Sequence, residues 1–200
     1  MIPEIAGLPP LAWTSAPSHA VYDQTDGTLT LTAVAGVDWT NDSLGGGQQH
    51  RASALAFTAP ASFSLSARVL VDSPRTTFDA GVLALWADSD HWAKLCFEYS
   101  PQGEAMVVTV VTNTHSDDSN GPGVKAPWTY LRVSRTGPAW AFHSSGDGHD
   151  WSFVRLFRLD TEKPVNVGFM SQAPMGQSCV ARFDSIQFSE QSPRNLRDGS

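Results

Sequence analysis

The sequence predicts an all-β protein in which two antiparallel sheets pack as a sandwich. Apolar residues occur in short runs that alternate with polar residues, and Gly, Pro, Asp and Ser separate these runs. No long segment has a helical period, so we expect no helix longer than about three turns. The predicted strands are Thr28–Ala33, Ala54–Phe57, Ser64–Val71, Gly81–Trp86, Trp92–Tyr99, Met106–Asn113, Tyr130–Arg135, Ala139–Ser144, Ser152–Arg158, Val165–Ser171 and Val180–Phe188.

Length and composition predict one domain over residues 1–190, followed by a flexible tail over 191–200. The chain of 200 residues is long enough for one buried core, and 41% hydrophobic with 16% charged residues is typical of a globular protein. The tail is expected to fray because it is short, polar and rich in turn residues.

The net charge, the N-terminal residues and the length of the apolar runs indicate which partners and which cellular compartment to expect. The formal net charge is −7 and the pI about 5.2, so the average surface repels a phosphate backbone and nucleic acid is not expected. The first residues lack the basic start and apolar stretch of a secretory signal, and no apolar run reaches the ~20 residues of a membrane span. We therefore expect a cytoplasmic protein with no membrane partner.

The two cysteines, Cys96 and Cys179, are expected to be buried thiols without a disulfide bond. They are sparse and far apart in sequence, and neither belongs to a CxxC motif. A disulfide would contradict both this expectation and the cytoplasmic assignment.

A turn at residues 100–103 sets the predicted register of the strands on either side. With Pro101 in second position, a four-residue turn would place Tyr99 opposite Glu104 and, counting back, Lys94 opposite Thr109. The turn at residues 136–138 would likewise place Arg132 opposite His143, and a turn before Trp92 would bring it near Trp86.

These registers sort the side chains of the strands into two faces. The predicted core face contains Leu95, Phe97, Val108, Val110, Leu131, Val133, Trp140 and Phe142. The opposite face contains Trp86, Trp92, Lys94, Glu98, Thr109, Asn113, Arg132 and His143. A slip by one residue would bury several charges, so the sorting favours this register.

Several motifs together resemble one known family. They are Trp92–Glu98, Val110–Asn113, Ser116–Asn120, Ser145–Gly148 with Trp151, and Val154–Phe157. This combination is similar to the regulation-of-enolase-like family of concanavalin A-like domains in the lectin and glucanase superfamily, from about Trp13 to Phe188. The resemblance implies a jelly-roll sandwich with any site in the concave sheet, where related lectins and glucanases hold sugars. It implies no established catalytic residues.

Lys94 and Glu98 are the first candidate ligand-binding residues. Glu98 would accept hydrogen bonds from ligand hydroxyls, and Lys94 would donate them. The alternative is a structural network of Lys94, Glu98, Arg132 and His143 that satisfies a partly covered sheet face. His143 would then bridge Arg132 and Glu98; its other possible role is that of a general base.

A predicted oxygen-rich loop contains Asn113, Asp117, Asp118 and Asn120. It could form the rim of a sugar cleft, cap its own turns through side-chain hydrogen bonds, or bind Ca²⁺, which favours such oxygen ligands. Apart from this possible Ca²⁺, no cofactor is expected, since no metal-ligand spacing occurs among the histidines or cysteines.

Tryptophans supply the candidate stacking surfaces. Trp39, in a polar context, and Trp128, after a proline, are candidate ligand contacts together with Trp86 and Trp92. We assign the other three to packing, namely Trp13, Trp140 and Trp151.

Two glycine-containing motifs are interpreted as structural. Residues 145–148 with Trp151 resemble the Asp-box hairpin of sialidases, but one residue is missing between Asp and Gly and the motif occurs once. Residues 45–47, three glycines, lack the strand-to-helix context of a phosphate-binding loop and predict a tight or flexible loop.

The function predicted from these residues is that of a lectin-like protein that binds a saccharide or polyol, without catalysis. One alternative is a glycoside hydrolase or lyase that uses Glu98, with His143 or an Asp such as Asp117 or Asp118, although no ExDxE-like strand is present. Another is a regulatory domain with a protein partner, for which an exposed apolar patch would be the signature.

The central expectation concerns how the candidates are arranged. Lys94, Glu98, Asn113, Arg132 and His143 should converge on one concave, solvent-reachable face. Asp117, Asp118 and at least one of Trp39 and Trp128 should border it.

Overall fold

The computed structural model describes residues 2–200, and all its regular elements are β-strands. The strands are β1 (Ala12–Trp13), β2 (His19–Asp23), β3 (Thr28–Val34), β4 (Trp39–Asn41), β5 (Gln48–His50), β6 (Leu55–Thr58), β7 (Ser62–Val71), β8 (Ala80–Asp88), β9 (His91–Tyr99), β10 (Ala105–Asn113), β11 (His115–Gly123), β12 (Trp128–Thr136), β13 (Ala139–Ser145), β14 (Ser152–Phe157), β15 (Asn166–Gln172) and β16 (Ser178–Ser189). The all-β prediction is confirmed. Over these residues no helix is long and apolar enough to cross a membrane.

Two seven-stranded antiparallel sheets form the sandwich, as predicted. The first sheet has the order β1-β6-β15-β8-β9-β10-β11, and the second has the order β14-β13-β12-β7-β16-β3-β2. A third, two-stranded sheet joins β4 to β5 as a hairpin. The architecture is the concanavalin A-like jelly roll.

Apolar side chains from the facing sides of both sheets form the main core. Leu83, Leu95 and Phe169 of the first sheet pack in one cluster with Phe63 and Leu65 of the second. The strand alternation that places these residues inside also directs every second side chain outward, so each sheet has an outer face.

The register between β9 and β10 differs from the prediction by one residue. Lys94 pairs with Val110, and Tyr99 pairs with Ala105. The turn is longer than expected, because the Ser100 amide donates to the Glu104 carbonyl (2.8 Å) and so adds one residue to the connection. The slip moves Val108 and Val110 to the outer face of the first sheet, and Thr109 and Asn113 to its inner side.

The other two predicted pairings are confirmed. Arg132 lies opposite His143 in β12 and β13, and Trp86 lies opposite Trp92 in β8 and β9.

The predicted oxygen-rich loop is instead a strand. Most of this polar segment forms β11, which pairs with β10 at the edge of the first sheet and puts Asp118 opposite Val110. An edge strand has one side open to water, so it tolerates a sequence without apolar residues. The prediction failed because it relied on side-chain hydrophobicity, whereas the backbone of β10 determines this pairing.

Both cysteines are buried and unbridged, as expected. Cys96 lies on the outer face of the first sheet, and Cys179 lies in the main core. Burial raises the pKa of the Cys179 thiol to about 11.

Gly168 in β15 marks a close approach between strands β15 and β6. A Cβ atom there would overlap the Leu55 carbonyl and lie 2.5 Å from the Cα of Ala56, which are backbone atoms that cannot move aside cheaply. We predict that Gly168→Ala lowers the free energy of unfolding by about 1–3 kcal/mol, a typical cost of overpacking. Urea denaturation should show a lower midpoint with an unchanged m value. Gly123→Ala, at a position with open space around it, is the control and should leave the midpoint nearly unchanged.

Candidate functional site

The predicted convergence of five polar residues on one face is wrong. Lys94 and Glu98 lie on the outer face of the first sheet, whereas Arg132 and His143 lie in the second sheet and face away from the core. Asn113 is the exposed last residue of β10 and has the parity of the inner side, where its side-chain amide donates to the Arg158 carbonyl (3.3 Å) in the segment after β14. The alternation of side chains within a hairpin predicts which residues share one face of that hairpin. It does not predict to which of the two sheets the hairpin belongs, and the two hairpins belong to different sheets.

Lys94 is the centre of a buried polar network on the first sheet. Lys94 is 3% exposed, and its ammonium group donates to Asp38 Oδ1 (2.7 Å), the Trp39 carbonyl (2.8 Å) and Gln172 Oε1 (3.0 Å). Burial, the largest single effect, lowers the pKa of Lys94, but Asp38, Cys96 and Glu98 together outweigh it and the pKa lies above its usual value. All three N–H donors of the ammonium group are therefore used within the protein.

The β4–β5 hairpin covers one end of this outer face. Trp39 is 1% exposed, its indole N–H donates to the Ala52 carbonyl (2.8 Å), and its ring packs on Trp86 at 4.6 Å and Trp92 at 5.9 Å. Trp39 is thus part of a second apolar cluster, and its ring is not accessible to a ligand. The predicted stacking role of Trp39 does not fit this position.

Glu98 lies on the same face, four residues along β9 from Lys94. Gln172 uses its Oε1 for Lys94, and its Nε2 donates to the Phe78 carbonyl (2.9 Å) and, over a longer distance, to Glu98 Oε2 (3.4 Å). No cation within residues 2–200 forms an ion pair with Glu98. Burial raises the pKa of Glu98 to about 7 against the opposing effect of Lys94, and the carboxylates of Asp38 and Asp118 add to the rise.

Phe78, whose carbonyl shares the Gln172 amide with Glu98, has an unusual backbone conformation. Its φ is 68°, and its amide donates to the Tyr99 carbonyl at 2.7 Å. A bulky residue in the left-handed region costs on the order of 1–3 kcal/mol, and such residues cluster at functional sites. Phe78 is 37% exposed.

Strand β11 supplies polar groups at the sheet edge. Asp118 lies beside Val110, on the outer face, and partial burial together with Asp38 and Asp117 raises its pKa. Asn120 pairs with Val108 and has the same orientation. Asp117 points to the other side, where Arg155 binds it at 3.0 Å.

The possible Ca²⁺ site in this segment is not formed, because Asp117 and Asp118 point to opposite sides of the strand. Within residues 2–200, no three His, Cys, Asp or Glu side chains are placed to hold a metal ion together.

The remaining candidates lie on the outer face of the second sheet. Trp128 stacks with Arg68, whose guanidinium carbon is 5.5 Å from the ring centroid. Trp151, expected to pack inward, is half-buried and stacks with Arg132 at 4.3 Å. Glu98 and His143 therefore cannot act in one active site.

The Asp-box-like motif is structural, as interpreted. Asp147 Oδ1 accepts hydrogen bonds from the Ser145 hydroxyl and from the amides of His149 and Asp150, at 2.8–2.9 Å. These bonds lower the pKa of Asp147 to about 2 and hold the turn between β13 and β14.

Three residues of the site were missed by the sequence reasoning: Asp38, Phe78 and Gln172. Asp38 was noted only as context for Trp39, and no sequence signal marks a Phe with positive φ. Gln172 follows the strand alternation onto the outer face beyond the predicted end of its strand, and extending that strand by one residue would have found it.

Comparisons with known proteins give the fold and the family. A functionally unknown protein from Saccharomyces cerevisiae is 24% identical, with a TM-score of 0.79 over 90% of this chain and 96% of that one. A xylan β-1,4-xylosidase from Bacillus halodurans is 15% identical, with a TM-score of 0.67, and an alginate lyase from Klebsiella pneumoniae is 12% identical, with a TM-score of 0.54.

The coverage of these structures differs. The match to the xylosidase covers 91% of this chain but only 39% of the xylosidase. The match to the lyase covers 86% of this chain and 84% of the lyase. At these identities each likeness shows the fold alone. No curated protein matches the sequence. Residues 13–191 match the family described as "Protein of unknown function (DUF1349)", and the chain belongs to that family.

Proposed function

We propose that this protein binds a saccharide or related polyol on the outer face of the first sheet, around Glu98. One observation carries the proposal: Glu98 is 8% exposed and has no ion-pair partner within residues 2–200, and it shares the Gln172 amide with the carbonyl of the strained, exposed Phe78. A nearly buried carboxyl group with spare acceptor capacity can accept a further hydrogen bond, and a sugar hydroxyl supplies the donor.

The neighbouring groups match the two kinds of surface on a sugar. The Phe78 ring offers an apolar face for the C–H groups of a pyranose, and Glu98 accepts from hydroxyls at the ring edge. Asp118 and Asn120, exposed at the sheet edge, extend the polar surface. Gln172 holds Glu98 in place, because its amide is oriented by the Lys94 and Phe78 contacts.

The solved structures with this fold favour the same ligand class. A xylan β-1,4-xylosidase and an alginate lyase both have names that refer to polysaccharides. We take this as support for a saccharide in general and transfer neither activity.

An enzymatic alternative rests on Glu98, because a carboxyl group with a pKa of about 7 could act as a general acid. Its carboxyl partner would be Asp118. The two residues are four positions apart along the sheet and two strands apart across it, so their Cα atoms are about 16 Å apart. Even with both side chains turned toward each other, this Cα separation exceeds what the carboxyl groups of a retaining pair (roughly 5 Å apart) or an inverting pair (roughly 6.5–9.5 Å apart) need, and binding without catalysis is the better fit.

We predict that Phe78→Gly weakens saccharide binding about tenfold while the protein stays folded. Glycine adopts a positive φ without steric cost, so the variant removes the ring and relieves the backbone strain together. Isothermal titration with xylotetraose and cellotetraose measures the affinity, and thermal denaturation measures the stability. Leu156→Ala, which removes an exposed apolar side chain from the second sheet, is the control and should bind as the wild type does. Equal affinities for all three proteins would contradict the proposed site.

We predict that Glu98→Gln abolishes most of the binding and also changes how stability depends on pH. The folded pKa of about 7 lies above the ordinary 4.5, so the folded state holds this proton more tightly than the unfolded state does. The resulting stability is complete below pH 4.5 and is lost as the pH rises through 7. Glu98 should therefore lower the free energy of unfolding by about 3 kcal/mol between pH 5 and pH 8.

Urea denaturation at the two pH values tests this prediction. The Glu98→Gln protein should lack that fall and be more stable than the wild type at pH 8. Glu104→Gln, at an exposed glutamate in the turn after β9, is the matched control and should follow the wild type. Parallel curves for the wild type and Glu98→Gln would show that the carboxyl group does not titrate in this way.

A further inference from the structure

The last residues of the chain lie across the outer face of the second sheet. After β16 the segment crosses β7 and β12 and reaches β13. Hydrogen bonds between sheet and segment join Ser62 Oγ to Ser192 Oγ (3.2 Å), Ser64 Oγ to the Gln191 carbonyl (3.2 Å), Thr136 Oγ1 to Ser192 Oγ (2.8 Å), His143 Nε2 to the Leu196 carbonyl (2.8 Å) and Arg132 Nη2 to the Gly199 carbonyl (2.7 Å). The Arg197 guanidinium also stacks on the Phe153 ring of β14, 4.7 Å from its centroid. We call residues 194–200 the terminal segment.

This cover leaves buried polar groups without partners. Within residues 2–200, Arg132 Nε, Ser134 Oγ and His143 Nδ1 are buried and make no hydrogen bond. Ser134 and His143 are both 0% exposed. All three residues share the outer-face parity of β12 and β13. An unsatisfied buried polar atom is costly, so the terminal segment is a poor match for the surface that it covers.

Arg132 shows most clearly which group is missing. Elsewhere in the second sheet, Arg68 binds Asp184 through both Nε and Nη2, and Arg182 binds Asp72 through the same two atoms, all at 2.8–2.9 Å. On Arg132 this edge of the guanidinium holds a single carbonyl oxygen through Nη2, and Nε is empty. A carboxylate would satisfy both donors.

A cleft beside the terminal segment gives access to Arg132. It has a volume of about 450 Å³ and is lined in part by Arg132, Trp151, Ser64, Ser66 and Gln187. Trp151 stacks on the guanidinium at 4.3 Å and fixes its plane. No Asp or Glu of residues 2–200 forms an ion pair with Arg132, so its charge is uncompensated in a half-buried position.

We propose that this cleft is a second binding site, for a small hydroxylated carboxylate such as a uronic acid, and that the terminal segment occupies Arg132 when the ligand is absent. The ligand carboxylate replaces the Gly199 carbonyl and takes both Nε and Nη2 of Arg132. His143 donates through Nε2 to a carbonyl, so its Nδ1 is an acceptor; with Ser134 it is free to pair with ligand hydroxyls once the segment moves. The site is on the opposite sheet from the saccharide site above and does not depend on it.

Gly199 offers a way to release the terminal segment without shortening the chain. Its φ is +77°, and a Cβ atom there would lie 2.5 Å from Arg132 Nη2, 3.1 Å from Trp151 Cβ and 3.2 Å from His143 Cδ2. A valine at this position would be strained at the positive φ of the docked segment, and its side chain would clash with Arg132. Gly199→Val should therefore expose the site in the full-length protein.

Isothermal titration with D-glucuronate tests the proposal. We expect the Gly199→Val protein to bind at least tenfold more tightly than the wild type, because the segment no longer competes for Arg132. Arg132→Lys in the Gly199→Val background should lose this binding, since lysine keeps the charge but lacks the two-donor edge. A synthetic peptide of residues 194–200 should compete with glucuronate for the Gly199→Val protein.

A second measurement uses the wild type. Saturating glucuronate should speed tryptic cleavage after Arg194 and Arg197, because the ligand displaces the segment that contains them. D-glucose, which lacks the carboxylate, should neither bind the cleft nor speed cleavage.

The following results would overturn the proposal. Wild type and Gly199→Val could bind glucuronate equally, or glucose as well as glucuronate could bind. Inorganic phosphate could bind the cleft as tightly as glucuronate, which would refute the carboxylate assignment. Circular dichroism could show that Gly199→Val is unfolded, in which case the segment is an integral part of the fold and not a displaceable occupant.

Discussion

The buried ammonium group of Lys94 is the interaction on which the first sheet's outer face depends. Its three hydrogen bonds join β9 to the start of the hairpin at Asp38 and Trp39 and to Gln172 of β15. Removing one partner of a buried charge pair typically costs 3–5 kcal/mol, because the other charge is left uncompensated. The hairpin is only three residues long on each side, and the packing of Trp39 on Trp86 and Trp92 follows from where Lys94 holds it.

The same network accounts for the chemical state of Glu98. Asp38 neutralises Lys94 directly, so the ammonium group lowers the pKa of Glu98 less than burial raises it. The Gln172 amide bridges Lys94 and Glu98 by hydrogen bonds. Because it is neutral, it fixes the position of Glu98 without adding a charge next to it. Glu98 is consequently a carboxyl group whose pKa lies near neutral pH and which Gln172 holds through one of its two oxygens. That combination suits a hydroxylated ligand better than it suits a structural ion pair.

The sequence was sufficient for the fold and insufficient for the site, for reasons that particular residues make plain. Alternation in β9 correctly put Lys94 and Glu98 on one face, because strand periodicity is local. The partner of Lys94 is 56 positions away at Asp38, a contact that no turn or period specifies. The pairing of Arg132 with His143 was also local and was predicted correctly. These two residues nevertheless belong to the second sheet, whereas Lys94 and Glu98 belong to the first. A single extra residue in the turn after Tyr99 reversed the faces of Val110 and Thr109.

The two outer faces of the sandwich are both covered by short polar segments, and hydrogen-bond satisfaction distinguishes them. Beneath the hairpin, Lys94 uses all of its donors. The Asn41 side-chain amide donates to two backbone carbonyls, and its Oδ1 accepts from His50 Nε2. Beneath the terminal segment, Arg132, Ser134 and His143 each keep an unpaired atom. A segment that satisfies the hydrogen bonds of the buried groups below it is hard to displace, because those groups would only exchange hydrogen bonds to protein for hydrogen bonds to water, with no gain in free energy. A segment that leaves buried polar groups unpaired can be displaced by a ligand that pairs them. By this criterion the β4–β5 hairpin is a structural part of the fold, and the terminal segment is the one that a ligand can displace.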